Sequence, residues 1–383
     1  MSMFCNRNRN EGRRKLLNII REHFDSIAMY PESYLQAVRF HRQLSTLYNI
    51  KEIITTNWDD LFERECAAVP FISPEDFVFW NSETRRVLKL HGSVTNYGSI
   101  IATEEDYKKC YRHLQRNVIG GYLKTLLATK TILFVGYSFG DEDFNRIYKL
   151  LKSDMKGLTP KAYIVTTDED SKKRFEGMNL TTIITDASYF LEELKKIETA
   201  KGNLIPEKRF AVIQEANAAV KSAIDKLNST SNIKQTPSLV FTTFYCDGLL
   251  HSFGMIRNGK KSGKFSDKRY VINVLKHVYK HRKEAAKKKN YEGLAYLDGF
   301  INGMHFFLEA KQNIRNLRIY YLFGCRKTIR NYQEYMKLSK DAAIMHKTAY
   351  AQAIKIANSS KEILYYHCRP SIFPRNMLSE SQN

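Results

Sequence analysis

The chain has 383 residues, of which 43% are apolar and 12% aromatic, and it carries a formal net charge of +21. That length accommodates two or three domains, and the composition excludes a disordered chain, a collagen-like chain and a small disulfide-stapled scaffold. No apolar run approaches the roughly eighteen residues of a membrane-spanning helix, and the amino terminus lacks the apolar core of a secretory signal. These features predict a soluble, cytoplasmic protein.

The positive charge is concentrated in the second half of the sequence. Residues 201–383 hold 32 Lys and Arg against 13 Asp and Glu, a net of +19, whereas the first 200 residues carry a net charge of only +2. This contrast predicts two domains, at residues 1–200 and 201–383. The basic half fits a polyanion-binding surface, nucleic acid included, or an ordinary solvated surface.

The six cysteines are scattered and form no Cys-x-x-Cys pair. Zinc sites need paired ligands at close spacing, so the sequence predicts no metal site. Reduced, structural cysteines are the expected state in a chain of this kind.

Helical periodicity dominates the first fifty residues, with a break at Pro31 that predicts two helices. From residue 51, short β-branched runs alternate with helical patterns, which is typical of an α/β domain with a largely parallel sheet. The predicted strands are 52–56, 86–90, 131–135, 162–165 and 182–184. The predicted helices are 58–66, 104–128, 141–155, 169–176 and 187–198.

Residues 199–210 form the predicted boundary, and a mostly helical region follows. A Gly- and Ser-containing stretch at 245–263 is predicted to be an irregular insert. Residues 271–289 predict a two-faced helix, in which Lys276, Lys280, Lys283 and Lys287 form one stripe and apolar residues form the other face. The stripe has two interpretations, a solvated face or a phosphate-binding face.

Small and polar residues follow three of the predicted strands. The first strand ends in Thr55-Thr56-Asn57-Trp58-Asp59, the second in Leu90-His91-Gly92-Ser93, and the third in Gly136-Tyr137-Ser138-Phe139-Gly140-Asp141. Parallel sheets bind ligands beyond the carboxyl ends of their strands, so these clusters are expected to converge on one crevice.

Each cluster also has a purely structural interpretation. Asn57 could cap a helix that begins at Trp58, because Asn is among the best N-cap residues. His91 could be a turn residue, with Gly92 supplying a positive φ. Asp141 could cap the helix that follows the third strand.

Taken together, Thr-Thr-Asn-x-Asp, Leu-His-Gly-Ser and Phe-Val-Gly-Tyr-Ser-Phe-x-Asp resemble the motifs of the sirtuin-like domain, specifically its bacterial branch in anti-phage defence proteins. The resemblance covers about residues 30–195. It implies a Rossmann-like α/β fold and an enzyme that takes NAD as its substrate and cleaves the bond between nicotinamide and ribose, so depleting NAD once a trigger arrives.

The resemblance also implies roles for individual residues. Asn57 would position the ribose and the attacking water, and His91 would be the general base. The other residues expected to contact NAD belong to these motifs or follow the fourth and fifth strands: Thr55, Thr56, Asp59, Gly136, Tyr137, Ser138, Asp141, Thr166 and Asp186.

Two features of sirtuins are missing from this sequence. No Gly-Ala-Gly-x-Ser phosphate loop precedes Asn57, so either this chain starts late relative to its relatives or the site is incomplete. The second alternative leaves open a nucleic-acid-associated assembly subunit with an inactive sirtuin-like scaffold. The four-cysteine zinc ribbon of protein-deacylating sirtuins is also missing, which favours NAD hydrolysis over NAD-dependent deacylation. The resemblance further implies a homo-oligomer and a defence partner, either a translocase ATPase or an Argonaute-like protein.

Overall fold

A computed structural model describes residues 9–79, 84–137, 149, 153, 155, 160–175, 180–309, 313–341 and 343–359. The chain divides into two compact units, residues 1–198 and 199–383.

The first unit begins with the helices α1 (Arg9–Met29), α2 (Pro31–Ala37) and α3 (Arg39–Ser45). Pro31 occupies the start of α2, where its missing amide hydrogen is not needed, and the predicted break at this residue is confirmed. The predicted second helix is in fact two short helices. They meet at Val38, whose side chain is fully buried.

All of the described strand pairings are parallel. The strands are β1 (Glu52–Thr55), β2 (Val69–Phe71), β3 (Arg86–Lys89), β4 (Ile132–Val135), β5 (Ala162–Thr166) and β6 (Leu180–Ile184). They form two three-stranded sheets, in the orders β1-β3-β2 and β4-β5-β6. Strand β2 was not predicted, because it is short and contains Pro70, a residue tolerated only at a sheet edge.

Among the described residues, five α-helices follow or separate these strands: α4 (Leu61–Cys66), α5 (Glu104–Arg116), α6 (Val118–Thr129), α7 (Ser171–Arg174) and α8 (Ala187–Ala200). The single helix predicted over 104–128 is wrong. Asn117 ends α5, and its side chain accepts a hydrogen bond from the Gly120 amide at 3.0 Å, which starts α6. The helix predicted over 141–155 lies almost wholly outside the described residues.

Both sheets pack into one hydrophobic cluster. Leu88 of β3, Phe134 of β4 and Ile164 of β5 are buried in this cluster together with Leu123 and Leu127 of α6. The two sheets and the helix therefore share one core, and the fold is the predicted α/β type with parallel sheets followed by a mostly helical region.

The second unit is helical in its described part: α9 (Lys208–Thr230), α10 (Leu239–Asn258), α11 (Lys268–Lys287), α12 (Tyr291–Leu308), α13 (Tyr332–Leu338) and α14 (Lys347–Ser359). The irregular insert predicted at 245–263 is wrong, because α10 continues to Asn258. Its Gly248 faces α12 so closely that a Cβ atom there would lie 1.9 Å from the Tyr296 carbonyl oxygen. The glycine therefore serves close helix packing instead of chain flexibility.

Helix α10 is long and apolar enough to cross a membrane by length and composition alone, and no other helix among the described residues passes that test. The most apolar 18-residue stretch of α10 is 61% buried inside the protein. Burial of this kind is what the central helix of a folded helical unit requires.

Candidate functional site

The carboxyl ends of β1 and β3 lie side by side. The parallel register places Thr55 opposite Lys89, and the Leu90 amide donates to the Thr55 carbonyl oxygen at 2.9 Å. Asn57 and His91 each follow this register pair by two residues. The structure thus brings the first two predicted motifs to neighbouring positions at one sheet edge.

The turn after β1 is held by its own side chains. The Asn57 amide donates to Thr55 Oγ1 at 3.0 Å, and the Leu61 amide donates to Asp59 Oδ1 at 3.1 Å. Helix α4 begins at Leu61, so the suggestion that Asn57 caps a helix starting at Trp58 is wrong. The Asn57 side chain is exposed, whereas Thr56 is half-buried in the same turn.

His91 is 4% exposed, and its ring meets the Tyr107 ring edge to face at a centroid distance of 5.0 Å. Its carbonyl oxygen accepts a hydrogen bond from the Ile101 amide at 3.0 Å. Gly92 follows with a φ of +84°, and a Cβ atom there would lie 2.2 Å from the Ser99 carbonyl oxygen. Only glycine fits this turn, which fixes the imidazole at the sheet edge.

Lys89 is a feature of the site that the sequence did not reveal. Its side chain is fully buried, and its ammonium donates to the Asp59 carbonyl oxygen and to Glu63 Oε1, the latter at 3.1 Å. Burial raises the pKa of the Glu63 carboxyl, while the Lys89 charge opposes that rise. One available signal was a lysine within the otherwise apolar run Val87-Leu88-Lys89-Leu90.

The turns after β1 and β3 are therefore joined at two points. Lys89 holds the first turn through Asp59 and Glu63, and the Val94 amide donates to the Trp58 carbonyl oxygen at 2.8 Å. Asn57 directly precedes Trp58 and Asp59, the first two of these attached residues. A buried charge pair and a backbone bond fix the position of the exposed amide relative to the buried imidazole.

The remaining candidates follow the strands of the second sheet. The register pairs Val135 with Val165, so Gly136 and Thr166 are level at its carboxyl edge. Gly136 is exposed with a φ of +59°, and the Tyr137 ring stacks on Phe134 at 5.8 Å. Ser138 and Asp141 lie outside the described residues.

Thr166 and Asp186 both have local structural partners. Thr166 Oγ1 accepts a hydrogen bond from the Asp168 amide at 3.1 Å. Asp186 Oδ1 accepts from the amides of Ser188 and Tyr189 at 2.9 and 3.0 Å, so this exposed carboxylate caps α8. The predicted residues thus form two groups, Thr55 to Asp59 with His91 on one sheet and Gly136, Tyr137, Thr166 and Asp186 on the other.

Across the described ranges, no group of three or more His, Cys, Asp and Glu side chains could hold a metal ion. The four cysteines in those ranges are free thiols: Cys66, Cys110, Cys246 and Cys325.

Residues 51–183 match the family model of the SIR2-like domain. This interval contains β1 to β5 and most of β6, with both groups of candidate residues except Asp186. The predicted resemblance to sirtuin-like domains of the anti-phage branch is confirmed.

Three relatives match part of the chain. Defense-associated sirtuin 2 of Bacillus subtilis is 29% identical over 127 residues, which is 31% of this chain and 12% of the relative. NAD(+) hydrolase ThsA of Cytobacillus dafuensis is 29% identical over 155 residues, 39% of this chain and 29% of the relative. NAD(+) hydrolase ThsA of Enterococcus faecium is 32% identical over 148 residues, 37% of this chain and 29% of the relative. The similarity spans less than a third of each relative.

Proposed function

Because residues 51–183 form a SIR2-like domain, we propose that this chain hydrolyses NAD at the bond between nicotinamide and ribose. The observation that carries the proposal is the adjacency of Asn57 and His91 at the ends of two paired parallel strands. Two relatives named as NAD(+) hydrolases support it.

The reaction divides between an exposed amide and a buried imidazole. Water adds to the ribose carbon as the carbon–nitrogen bond to nicotinamide breaks, so the products are nicotinamide and ADP-ribose. Positive charge builds on the ribose during this step, and the Asn57 amide orients the sugar and the water. His91 takes the proton released as the new carbon–oxygen bond forms.

The second group of candidates is proposed to hold the rest of the dinucleotide. Backbone amides at Gly136, Tyr137 and Ser138 would donate to phosphate and ribose oxygens. Thr166 and Asp186 would meet the adenosine end. Thr55, Thr56, Asp59 and Asp141 would complete the contacts to NAD.

We propose that NAD depletion is an anti-phage defence response of the cytoplasm. A relative named as a defense-associated sirtuin supports this role. The same proposal includes assembly of the chain into a homo-oligomer and activation through a defence partner, either a translocase ATPase or an Argonaute-like protein.

The proposal is tested by incubating the purified chain with NAD, alone and with extract from phage-infected cells, and quantifying nicotinamide and ADP-ribose. Hydrolysis predicts equal amounts of the two products with no acyl-lysine peptide present. NAD turnover only with such a peptide would indicate a deacylase. No nicotinamide release under any condition would indicate an inactive scaffold.

A further inference from the structure

Helix α11 exposes a row of cations along one face. The row, called here the cationic row, consists of Arg269, Lys276, Lys280, Lys283 and Lys287, all of them exposed. Spacings of seven, four, three and four residues keep these side chains on one side of a helix. At 1.5 Å per residue the row extends over about 27 Å.

Two acidic residues on or beside this helix, Asp298 and Glu284, form no ion pair with the cationic row among the described residues. Arg282 turns away from the row and binds Asp298, whose Oδ2 also accepts a hydrogen bond from the Tyr321 hydroxyl at 3.0 Å. Glu284, the single acidic residue of α11, lies 3.7 Å from the His281 ring. Within the part of the chain that the structure describes, no ion pair reaches the cationic row.

The opposite face of α11 is committed to the protein core. Val271, Leu275 and Val278 are 0%, 6% and 3% exposed, so these apolar side chains are not available to insert into a lipid surface. The free face offers charge, the aromatic ring of Tyr279 and one aliphatic side chain, Ile272, which is 36% exposed.

Tyr279 lies within the cationic row, three residues after Lys276 and four before Lys283. The residue is 41% exposed, and its hydroxyl is held at 2.8 Å from His305 Nε2. An anchored aromatic ring among unpaired lysines is the arrangement that binds single strands, because every base has a face that can stack and every nucleotide carries a phosphate.

We propose that the cationic row and Tyr279 bind single-stranded nucleic acid, with lysines on the phosphates and a base stacked on the Tyr279 ring. Contacts to the phosphates of the nucleic acid and stacking on a base do not distinguish one base from another, so binding is expected to be independent of nucleotide sequence. This binding is a separate activity from NAD cleavage and does not depend on it.

Fluorescence anisotropy of the full chain with labelled oligo(dT), at several salt concentrations, tests the proposal. The variant carries Gln at Lys276, Lys280, Lys283 and Lys287. A matched variant makes the same change at four exposed lysines on other parts of the second unit: Lys208, Lys221, Lys234 and Lys340.

Loss of four phosphate contacts is expected to reduce the slope of log affinity against log salt by about 2.8, since each contact to a single strand contributes about 0.7. Tyr279→Ala is expected to weaken binding by about fivefold or more, while Tyr279→Phe keeps the stacking face and binds as the wild type does.

Each of the following results would overturn the proposal. They are equal losses in the two quadruple variants, unchanged affinity in Tyr279→Ala, and tighter binding of a duplex of the same length than of the single strand. Absence of binding by the wild type at low salt would also overturn it.

Discussion

The Lys89 ammonium lies inside the first unit, where a charge is stable only if it is paired and hydrogen-bonded. Glu63 and the Asp59 carbonyl meet that requirement. Both partners belong to the segment that follows β1, so the pair that satisfies the buried charge also fixes the turn carrying Asn57. The stability of the first unit and the position of Asn57 therefore both depend on Lys89 and Glu63.

Replacing Lys89 by Met is expected to lower the free energy of unfolding by about 3–5 kcal/mol at pH 7, because Glu63 then keeps a buried charge without its cation. The double variant Lys89→Met/Glu63→Leu is expected to recover most of that loss. Urea denaturation measures both variants, and a double variant as unstable as the single one would contradict this account.

The Lys89→Met deficit is also expected to depend on pH. Burial raises the pKa of Glu63 in the folded state, so the folded variant binds a proton more tightly than the unfolded chain does. Stability of the variant then falls as pH rises above the unfolded value of about 4.3. Urea denaturation near pH 4 should show a smaller deficit than at pH 7, and an equal deficit at both would exclude Glu63 as the cause.

Motif spacing was sufficient to predict Asn57 and His91 as neighbours, because a residue just beyond a parallel strand has a defined place at the sheet edge. It could not predict Lys89, since burial of a lysine depends on partners supplied by another segment. The interpretation of Asn57 as a cap failed for a similar reason: α4 starts at Leu61, three residues later than the motif suggests, and its first amide donates to Asp59 instead.

At the scale of the elements, the packing of α10 against α12 depends on residues with no side chain. Gly248 faces the Tyr296 carbonyl, and a Cβ atom at Gly299 of α12 would lie 1.9 Å from the Tyr245 carbonyl oxygen. Sequence reasoning took the glycine of this stretch as a sign of an insert. A helix made of buried apolar residues and glycines is distinguished from a loop only by the partner that packs on it.

Gly248→Ala is therefore expected to destabilise the chain by about 1–3 kcal/mol, since the backbones of α10 and α12 must separate to admit a methyl group. Gly254→Ala on the same helix has open space around its Cβ and is the matched control. It should be neutral or stabilising by up to about 1 kcal/mol, through helix propensity. Thermal unfolding followed by circular dichroism compares the two, and equal effects would refute close packing at Gly248.

At the scale of the whole molecule, the two units have separate hydrophobic cores. One cluster draws its buried residues from Phe71 to Phe175, and the other from Ile205 to Ala357. The charge distribution had indicated the same division into two units, because a net charge of +19 falls in residues 201–383. The charge distribution could indicate where one unit ends and the next begins. The residues that form each hydrophobic core can be identified only from the packing of the folded chain.

A fragment of residues 199–383 is expected to fold alone, since the described residues of its hydrophobic cluster, from Ile205 to Ala357, all belong to this unit. Cooperative urea unfolding followed by far-UV circular dichroism is the expected result. A fragment starting at residue 239, which lacks α9 and its buried residues Ile213, Ala216 and Val220, should unfold at lower urea. A gradual urea transition of the 199–383 fragment, together with strong binding of the hydrophobic dye ANS, would show that its core is incomplete.

The most direct test of the whole account is the initial rate of nicotinamide release from saturating NAD by the wild type and by Asn57→Ala. Asn57 is exposed, so its loss leaves the fold intact, and Asn96→Ala, at another exposed asparagine near the site, is the control. The account predicts a fall of about a hundredfold or more for Asn57→Ala with wild-type rates for Asn96→Ala. An undiminished rate in Asn57→Ala would contradict it.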